Sequence, residues 1–232
     1  MLDIPNKAIV LLSGGLDSTV LLHYIAKKTN KYVVPLIIDY NQRHSRETAY
    51  AMQHSLNLNL NWRKIDAKFL GNITSYTSVL TDATAIVPHI KDVVGLAQPP
   101  TYVPMRNLIF LSIAAALAES ICADTIYYGA AEIDTHSGHW DCSEEFLDRI
   151  NSILNLNREH KIKIEAPFIT FSKEKIIKTG HELNVDFTLT HTCYNGAETA
   201  CGTCSSCSSR IQGFLAAGIK DPIKYNIEIP WS

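Results

Sequence analysis

No apolar stretch in these 232 residues approaches the ~18 that would span a bilayer. There is no basic excess either: 21 Lys and Arg face 23 Asp and Glu, a net charge of -2 with His neutral. A chain-wide nucleic-acid footprint is therefore not favoured, although a local basic patch stays open. The six cysteines do not spread as a disulfide framework, because four crowd into residues 193–207. The first residues do not read as a signal peptide, since a buried-strand pattern begins at residue 8. A cytoplasmic protein is the expectation. Internal repeats and low-complexity tracts are also missing. What remains is an ordinary globular composition, 46% hydrophobic and 19% charged, long enough for one domain or one domain with a small appended module.

The pattern along the chain alternates strand and helix. Residues 8–12, 32–38, 58–65, 124–128 and 162–166 are short, apolar and β-branched in part, as buried parallel strands are. Residues 18–28, 45–56, 107–120, 144–157 and 172–183 suit helices, with Ser45 and Ser172 as N-caps. Repeated βα units predict an α/β fold: an open parallel sheet with helices on both faces. Ligands on such sheets sit at the C-terminal ends of the strands. Residues 67–101, rich in Ser, Thr and Pro, predict either a lid or binding loop or a plain surface excursion.

Between the first strand and the first helix lies Ser13-Gly14-Gly15-Leu16-Asp17-Ser18. Paired glycines reach backbone angles closed to other residues and let a phosphate approach the main chain. Two hydroxyls and the helix N-terminus complete an anion cradle. It is neither a Walker A loop, having no lysine, nor a dinucleotide fingerprint. A carboxylate beside phosphates implies a cation between them, so Asp17 is a candidate Mg²⁺ contact. The competing reading is a plain turn at Gly14-Gly15 with Asp17-Ser18 as a helix cap.

Cys193, Cys201, Cys204 and Cys207, spaced C-x7-C-x2-C-x2-C, can surround one metal ion. Zn²⁺ in a closed four-sulfur site would be structural; an iron–sulfur cluster takes four cysteines too. Unligated thiols are the bland alternative. Cys122, at a helix end, is expected in the core, and Cys142 as a buried thiol. Arg106 and Asn107 open a helix after Pro104; Arg106 can clamp a carboxylate or phosphate, or form an ordinary ion pair. Arg43 and His44 follow a strand end, where a ligand is expected, or line a solvated helix entry. Asp134 can hold a second Mg²⁺ or a purine-like edge. Asp141 suits a guanine-like base but can equally cap the helix from Glu144.

The Ser-Gly-Gly-Leu-Asp-Ser loop resembles the pyrophosphate loop of the N-type ATP pyrophosphatases. Asp39-Tyr40-Asn41-Gln42-Arg43-His44, Tyr102-Val103-Pro104-Met105-Arg106-Asn107, Gly129-Ala130-Ala131-Glu132-Ile133-Asp134, Ser137-Gly138-His139-Trp140-Asp141-Cys142 and the cysteine segment narrow this. In combination they resemble the 7-cyano-7-deazaguanine synthases of queuosine-precursor biosynthesis, over nearly the whole chain. The resemblance implies a Rossmann-type fold like the adenine nucleotide alpha hydrolases. It implies a ligase that uses ATP and ammonia to turn 7-carboxy-7-deazaguanine into the nitrile, through an adenylated carboxylate and an amide. It places ATP along Leu12, Ser13, Gly14, Gly15, Leu16, Asp17, Ser18, Thr19, Val20, Leu21 and Leu22. One Zn²⁺ would sit on the four cysteines, and the assembly would be a homodimer. Asp17, Ser18 and Arg106 are then the expected catalytic residues. Arg43, Arg106, Asn107, Asp134, Trp140 and Asp141 are the expected substrate contacts.

The sequence departs from that family at three places. Asn41 stands where Gly is usual, His139-Trp140 where Tyr-Pro is usual, and Met105 where a smaller residue is usual. Asn tolerates positive φ, and Trp140 offers a flat face for stacking. The His139-Trp140 change leaves open a related enzyme acting on another deazaguanine or base. An iron–sulfur tRNA-thiolating enzyme and a zinc-binding nucleic-acid module are further alternatives. The division expected is an ATP-binding domain over residues 1–186 and a zinc-binding, helical segment over 187–232. No glutaminase domain is visible, so ammonia is expected from solution or from a partner.

Overall fold

A computed structural model of the protein describes residues 6–42, 45–82, 84–132 and 139–231. Five parallel strands form one sheet: β1 (Lys7–Leu11), β2 (Tyr32–Asp39), β3 (Arg63–Asp66), β4 (Ala123–Tyr127) and β5 (Lys163–Glu165), in the order β3-β2-β1-β4-β5. The helices are α1 (Leu16–Lys28), α2 (Ser45–Asn57), α3 (Lys68–Thr74), α4 (Arg106–Ile121), α5 (Glu144–Leu154), α6 (Lys173–Glu182) and α7 (Ser205–Ala217).

The central strand shows why the sheet is covered twice. Ala8, Ile9 and Val10 of β1 are all fully buried. Ile9 points to one face, where it meets Leu111, Ala114 and Ala118 of α4 and Phe146 and Ile150 of α5. Ala8 and Val10 point to the other, against Val20, Leu21 and Ile25 of α1, Ile176 and Ile177 of α6, and Phe214 of α7. Period-two alternation in a strand with no polar side thus requires helices on both sides. The chain runs outward from β1 to β3, then returns across β1 to place β4 on its other edge. The switch point between β1 and β4 is where a ligand crevice opens in such sheets.

Several boundaries differ from the sequence reading. The strand expected over residues 58–65 is confined to β3. Asn59, at φ 54°, ends α2 with Leu58 N–H on His54 O and Leu60 N–H on Ser55 O. Leu58, Leu60 and Trp62 therefore pack as a helix cap against the α1 face instead of pairing in the sheet. The Ser172 cap is present, accepting from Lys175 N–H. At α5 the cap is Ser143, which accepts from Phe146 N–H, so Asp141 does not cap that helix. Cys122 is exposed, not core: it sits at the left-handed C-cap of α4, at φ 55°. The 67–101 excursion contains α3 and a short 3-10 turn at Ile90–Asp92. No helix among the described residues is long and apolar enough to cross a membrane.

Candidate functional site

The phosphate loop leaves β1 and enters α1 within four residues. Gly15 is the N-cap of α1 and has no side-chain cap bond, so Asp17 and Ser18 lie inside the first turn. Gly14 has φ +89°, and a Cβ there would lie 2.0 Å from the backbone oxygen of Glu47. Only glycine allows α2 to close on the loop at that point. Ser18 Oγ accepts from Ser13 N–H at 3.2 Å and lies 2.9 Å from Ser13 Oγ. Ser13 Oγ also accepts from Gly15 N–H at 3.1 Å. From the far side, His191 N–H donates to Gly14 O at 3.1 Å.

The loop is lysine-free in sequence but not in space. Lys173, in the first turn of α6, places Nζ 2.6 Å from both carboxylate oxygens of Asp17. The pair is largely shielded, with side chains 12% and 21% exposed. Gly213 of α7 makes room for the lysine stem, since a Cβ there would lie 2.4 Å from Lys173 Cγ. Asp17 thus faces a cation supplied by the chain itself.

Above the strand ends is a cavity of about 580 Å³, within the roughly 300–1,000 Å³ of small-molecule sites. Leu12, Ser13, Gly15, Leu16, Asp17, Ser18 and Lys173 form one end. Arg106, Asn107, Tyr40, Gln42, Glu47, His139 and Cys142 form another. Ile90, Val93, Val94, Gly95, Leu96 and Pro99, from the long excursion, form a wall. His191, Thr192, Ser205, Ser206, Ser209 and Arg210 close the side toward the cysteines. The excursion is tied to the cysteine segment by Ile90 N–H on Thr203 O at 2.9 Å.

Arg106 stands where α4 begins, after Met105 in the left-handed region at φ 57°. Burial opposes its charge, but Tyr40 and Asp141 more than compensate and raise its pKa. Asp141 is 2% exposed, and its Oδ1 has no hydrogen-bond partner among the described residues. It does not line the cavity, and it acts on Arg106 through its charge. Asn107 Nδ2 donates to Asp141 O at 3.4 Å and contacts Cys142 Sγ at 3.3 Å, which fixes the amide at the cavity edge. Trp140 lies outside the cavity as well: its Nε1 donates to Tyr102 OH at 3.2 Å and its ring meets Phe146 edge-on. His139 takes the lining position, where burial and the charge of Arg106 lower its pKa.

Glu47 and Gln42 were not singled out by the sequence. Tyr40 N–H donates to Gln42 Oε1 at 3.2 Å, which turns the Gln42 amide toward the Glu47 carboxyl. Burial pushes that carboxyl up to about 8, against the pull of Arg106 and Gln42. Thr19, Val20, Leu21 and Leu22 are buried beneath the loop and support it instead of lining the cavity. Arg43 and Asp134, with His44, lie outside the described residues. Asn41 adopts φ 64°, a left-handed conformation that Asn tolerates better than most residues.

The four cysteines converge. The sulfurs of Cys193, Cys201, Cys204 and Cys207 lie within 4.8 Å of one another. Cys201 and Cys207 are 3.9 Å apart, close to the ~3.8 Å edge of a tetrahedron with ~2.3 Å Zn–S bonds. Backbone N–H groups of Cys201, Thr203, Cys204 and Cys207 point at the sulfurs. Contacts from Cys204 and Cys207 pull the Cys193 thiol down, whereas the contact with Cys193 pushes Cys204 up to about 12. Four such thiols cannot all ionise without a shared cation, so the donor set fits a metal ion.

A family model described as "Queuosine biosynthesis protein QueC" matches residues 7–218. The chain is 44% identical to the 7-cyano-7-deazaguanine synthase of Clostridium kluyveri, covering 96% of this chain and 99% of that one. It is 43% identical to the enzyme of that name from Oceanobacillus iheyensis, covering 95% and 98%. With that from Thermoplasma volcanium it shares 40%, covering 96% and 92%. Among solved structures, NMN synthetase from Francisella tularensis has a similar fold, with TM-score 0.53 and 14% identity over 93% of this chain and 78% of that one. Phosphate loop, cavity and cysteine cluster are thus carried by a chain that belongs to the queuosine biosynthesis protein QueC family.

Proposed function

We propose that the cavity makes 7-cyano-7-deazaguanine from 7-carboxy-7-deazaguanine, ammonia and ATP. The observation that carries this is the joining, in one cavity, of the Ser13–Ser18 loop and a half-buried Arg–Asn pair at the start of α4. A carboxylate held by Arg106 and Asn107 then faces a triphosphate held by Ser13, Gly15 and Ser18. Arg106 keeps its charge at the cavity wall, so it can bind a substrate carboxylate without itself titrating.

In the first half, a carboxylate oxygen attacks the α-phosphorus and pyrophosphate leaves. Ammonia then attacks the acyl carbon, expels AMP and loses a proton, which gives the amide. In the second half the amide oxygen takes an adenylyl group from a second ATP. Loss of AMP and of the remaining N–H protons gives the nitrile. Both substrate oxygens depart on AMP. Lys173 would hold the pyrophosphate charge as it develops, passing from Asp17 to the leaving group. Mg²⁺, bound with Asp17, would neutralise the phosphates. Zn²⁺ on the four cysteines would be structural, with no position left for substrate.

Free ammonia is the proposed nitrogen source and a homodimer the proposed assembly. The 67–101 excursion would act as a cover that excludes water from the adenylate. Residues 187–232 would be a module that closes one side of the site. The test is substrate labelled with ¹⁸O in the carboxylate: the account expects one label in each AMP formed. Label appearing in water or phosphate, with unlabelled AMP, would contradict it.

A further inference from the structure

Arg210, in the middle of α7, is 1% exposed, and every N–H of its guanidinium is used. Nε and Nη2 form a two-point pair with Asp221, at 2.6 and 2.9 Å. Nη2 also reaches Phe187 O at 3.2 Å. Nη1 donates to Thr190 Oγ1 at 2.8 Å and to Thr192 Oγ1 at 3.0 Å. Asp221 is satisfied in turn by Ile223 N–H at 3.2 Å and Tyr225 OH at 2.7 Å.

The residue between the two threonines is His191, whose N–H holds Gly14 O. One cation thus fixes both sides of the backbone that grips the phosphate loop. The same helix is capped by Cys204, which accepts from Cys207 N–H, nearly two turns before Arg210. A two-point fork of this kind holds its partners in one geometry.

We infer that Arg210 is a positioning residue for nucleotide binding: it sets residues 190–192, and through His191 the curvature of the loop at Gly14. It does not need to touch the nucleotide to do so. The inference rests on the phosphate loop being the ATP site, as proposed above.

Thr190 is the place to test it, because it is 2% exposed and does not line the cavity. Thr190→Val removes one acceptor and leaves the Arg210–Asp221 pair in place. The expected result is a roughly tenfold weaker Kd for a non-hydrolysable ATP analogue, the scale of one lost charge-assisted hydrogen bond. KM for ATP should rise with kcat at saturation held, zinc content should be unchanged, and Thr190→Ser should restore affinity. Arg210→Lys, which keeps a cation opposite Asp221 but loses the fork, should weaken binding in the same way and serves if Thr190→Val does not fold. Folded variants with a lower melting temperature and unchanged nucleotide affinity would overturn the inference, leaving Arg210 a structural bolt. Ser18→Ala separates the two levels. If it leaves affinity for the analogue untouched, the loop is not the nucleotide site and the proposed function fails. If it weakens binding while Thr190→Val and Arg210→Lys do not, only the role of Arg210 falls.

Discussion

Lys173 Nζ lies 2.6 Å from both carboxylate oxygens of Asp17, although the two residues are 156 positions apart. The loop between β1 and α1 is therefore paired with a cation from another helix. Lys173→Met should lower kcat/KM for ATP by about a hundredfold or more, as expected for loss of a charge placed on a leaving group. Zinc content should not change. Gly213→Ala keeps the lysine but crowds its stem, and should cost activity with the charge intact. Wild-type kinetics in both variants would remove Lys173 from the reaction.

Asp17→Ala should abolish ATP consumption while leaving the fold and the metal in place. Steady-state turnover measured by pyrophosphate release checks this. Full turnover would end the Mg²⁺ assignment, and the ion pair with Lys173 would then be structural.

Native mass spectrometry or elemental analysis should find about one zinc per chain on the four thiolates. Cys204→Ala should lose the metal and lower the melting temperature, because the same residue caps α7. A brown protein with iron would instead place a cluster there.

Two groups, one buried and one at the cavity wall, give opposite pH signatures. His54 Nε2 faces Leu189 O at 3.2 Å, which fixes it as a donor, so His54 Nδ1 accepts from His23 Nε2 at 3.0 Å. Burial lowers His23 from 6.5 to about 3. A lowered histidine contributes stability that is present above 6.5 and lost as pH falls toward 3. His23→Gln keeps a donor for His54 and cannot titrate, so its melting temperature should fall less steeply over that window. Parallel curves for variant and parent would contradict a neutral pair.

Glu47 runs the other way. Its folded value of about 8 stands above the unfolded 4.5, so stability is full below 4.5 and declines as pH rises toward 8. The melting temperature of Glu47→Gln relative to the parent should improve steadily from pH 5 to pH 8. A constant difference would mean that Glu47 is ionised throughout, as a partner of Arg106.

The α/β frame was legible because buried strands carry a local signal: Ala8, Ile9 and Val10 are apolar in a row, and each must be covered. The turn at Gly14-Gly15 between β1 and α1 was legible because paired glycines punctuate a strand and a helix, and Gly14 takes the positive φ such a turn needs. The cysteine cluster was legible because its spacing is short. Lys173, Glu47 and Arg210 were not, since each enters the cavity from an element distant in sequence, and a lone Lys, Glu or Arg on a helix has no periodic signature. The one available clue was positional: Lys173 opens the helix after β5, at the strand ends where ligands sit. Trp140 and Asp141 show the reverse. They lie in a motif whose sequence suggests contact, yet the turn at Trp140–Cys142 sends His139 and Cys142 to the cavity and Trp140 outward.

The most direct measurement is mass spectrometry of a reaction containing the purified protein, 7-carboxy-7-deazaguanine, ATP, Mg²⁺ and ammonium. The account predicts loss of the acid, a transient amide, and accumulation of the nitrile with AMP and pyrophosphate. ATP turnover with the acid unchanged, or nucleotide appearing as ADP and phosphate, would contradict it.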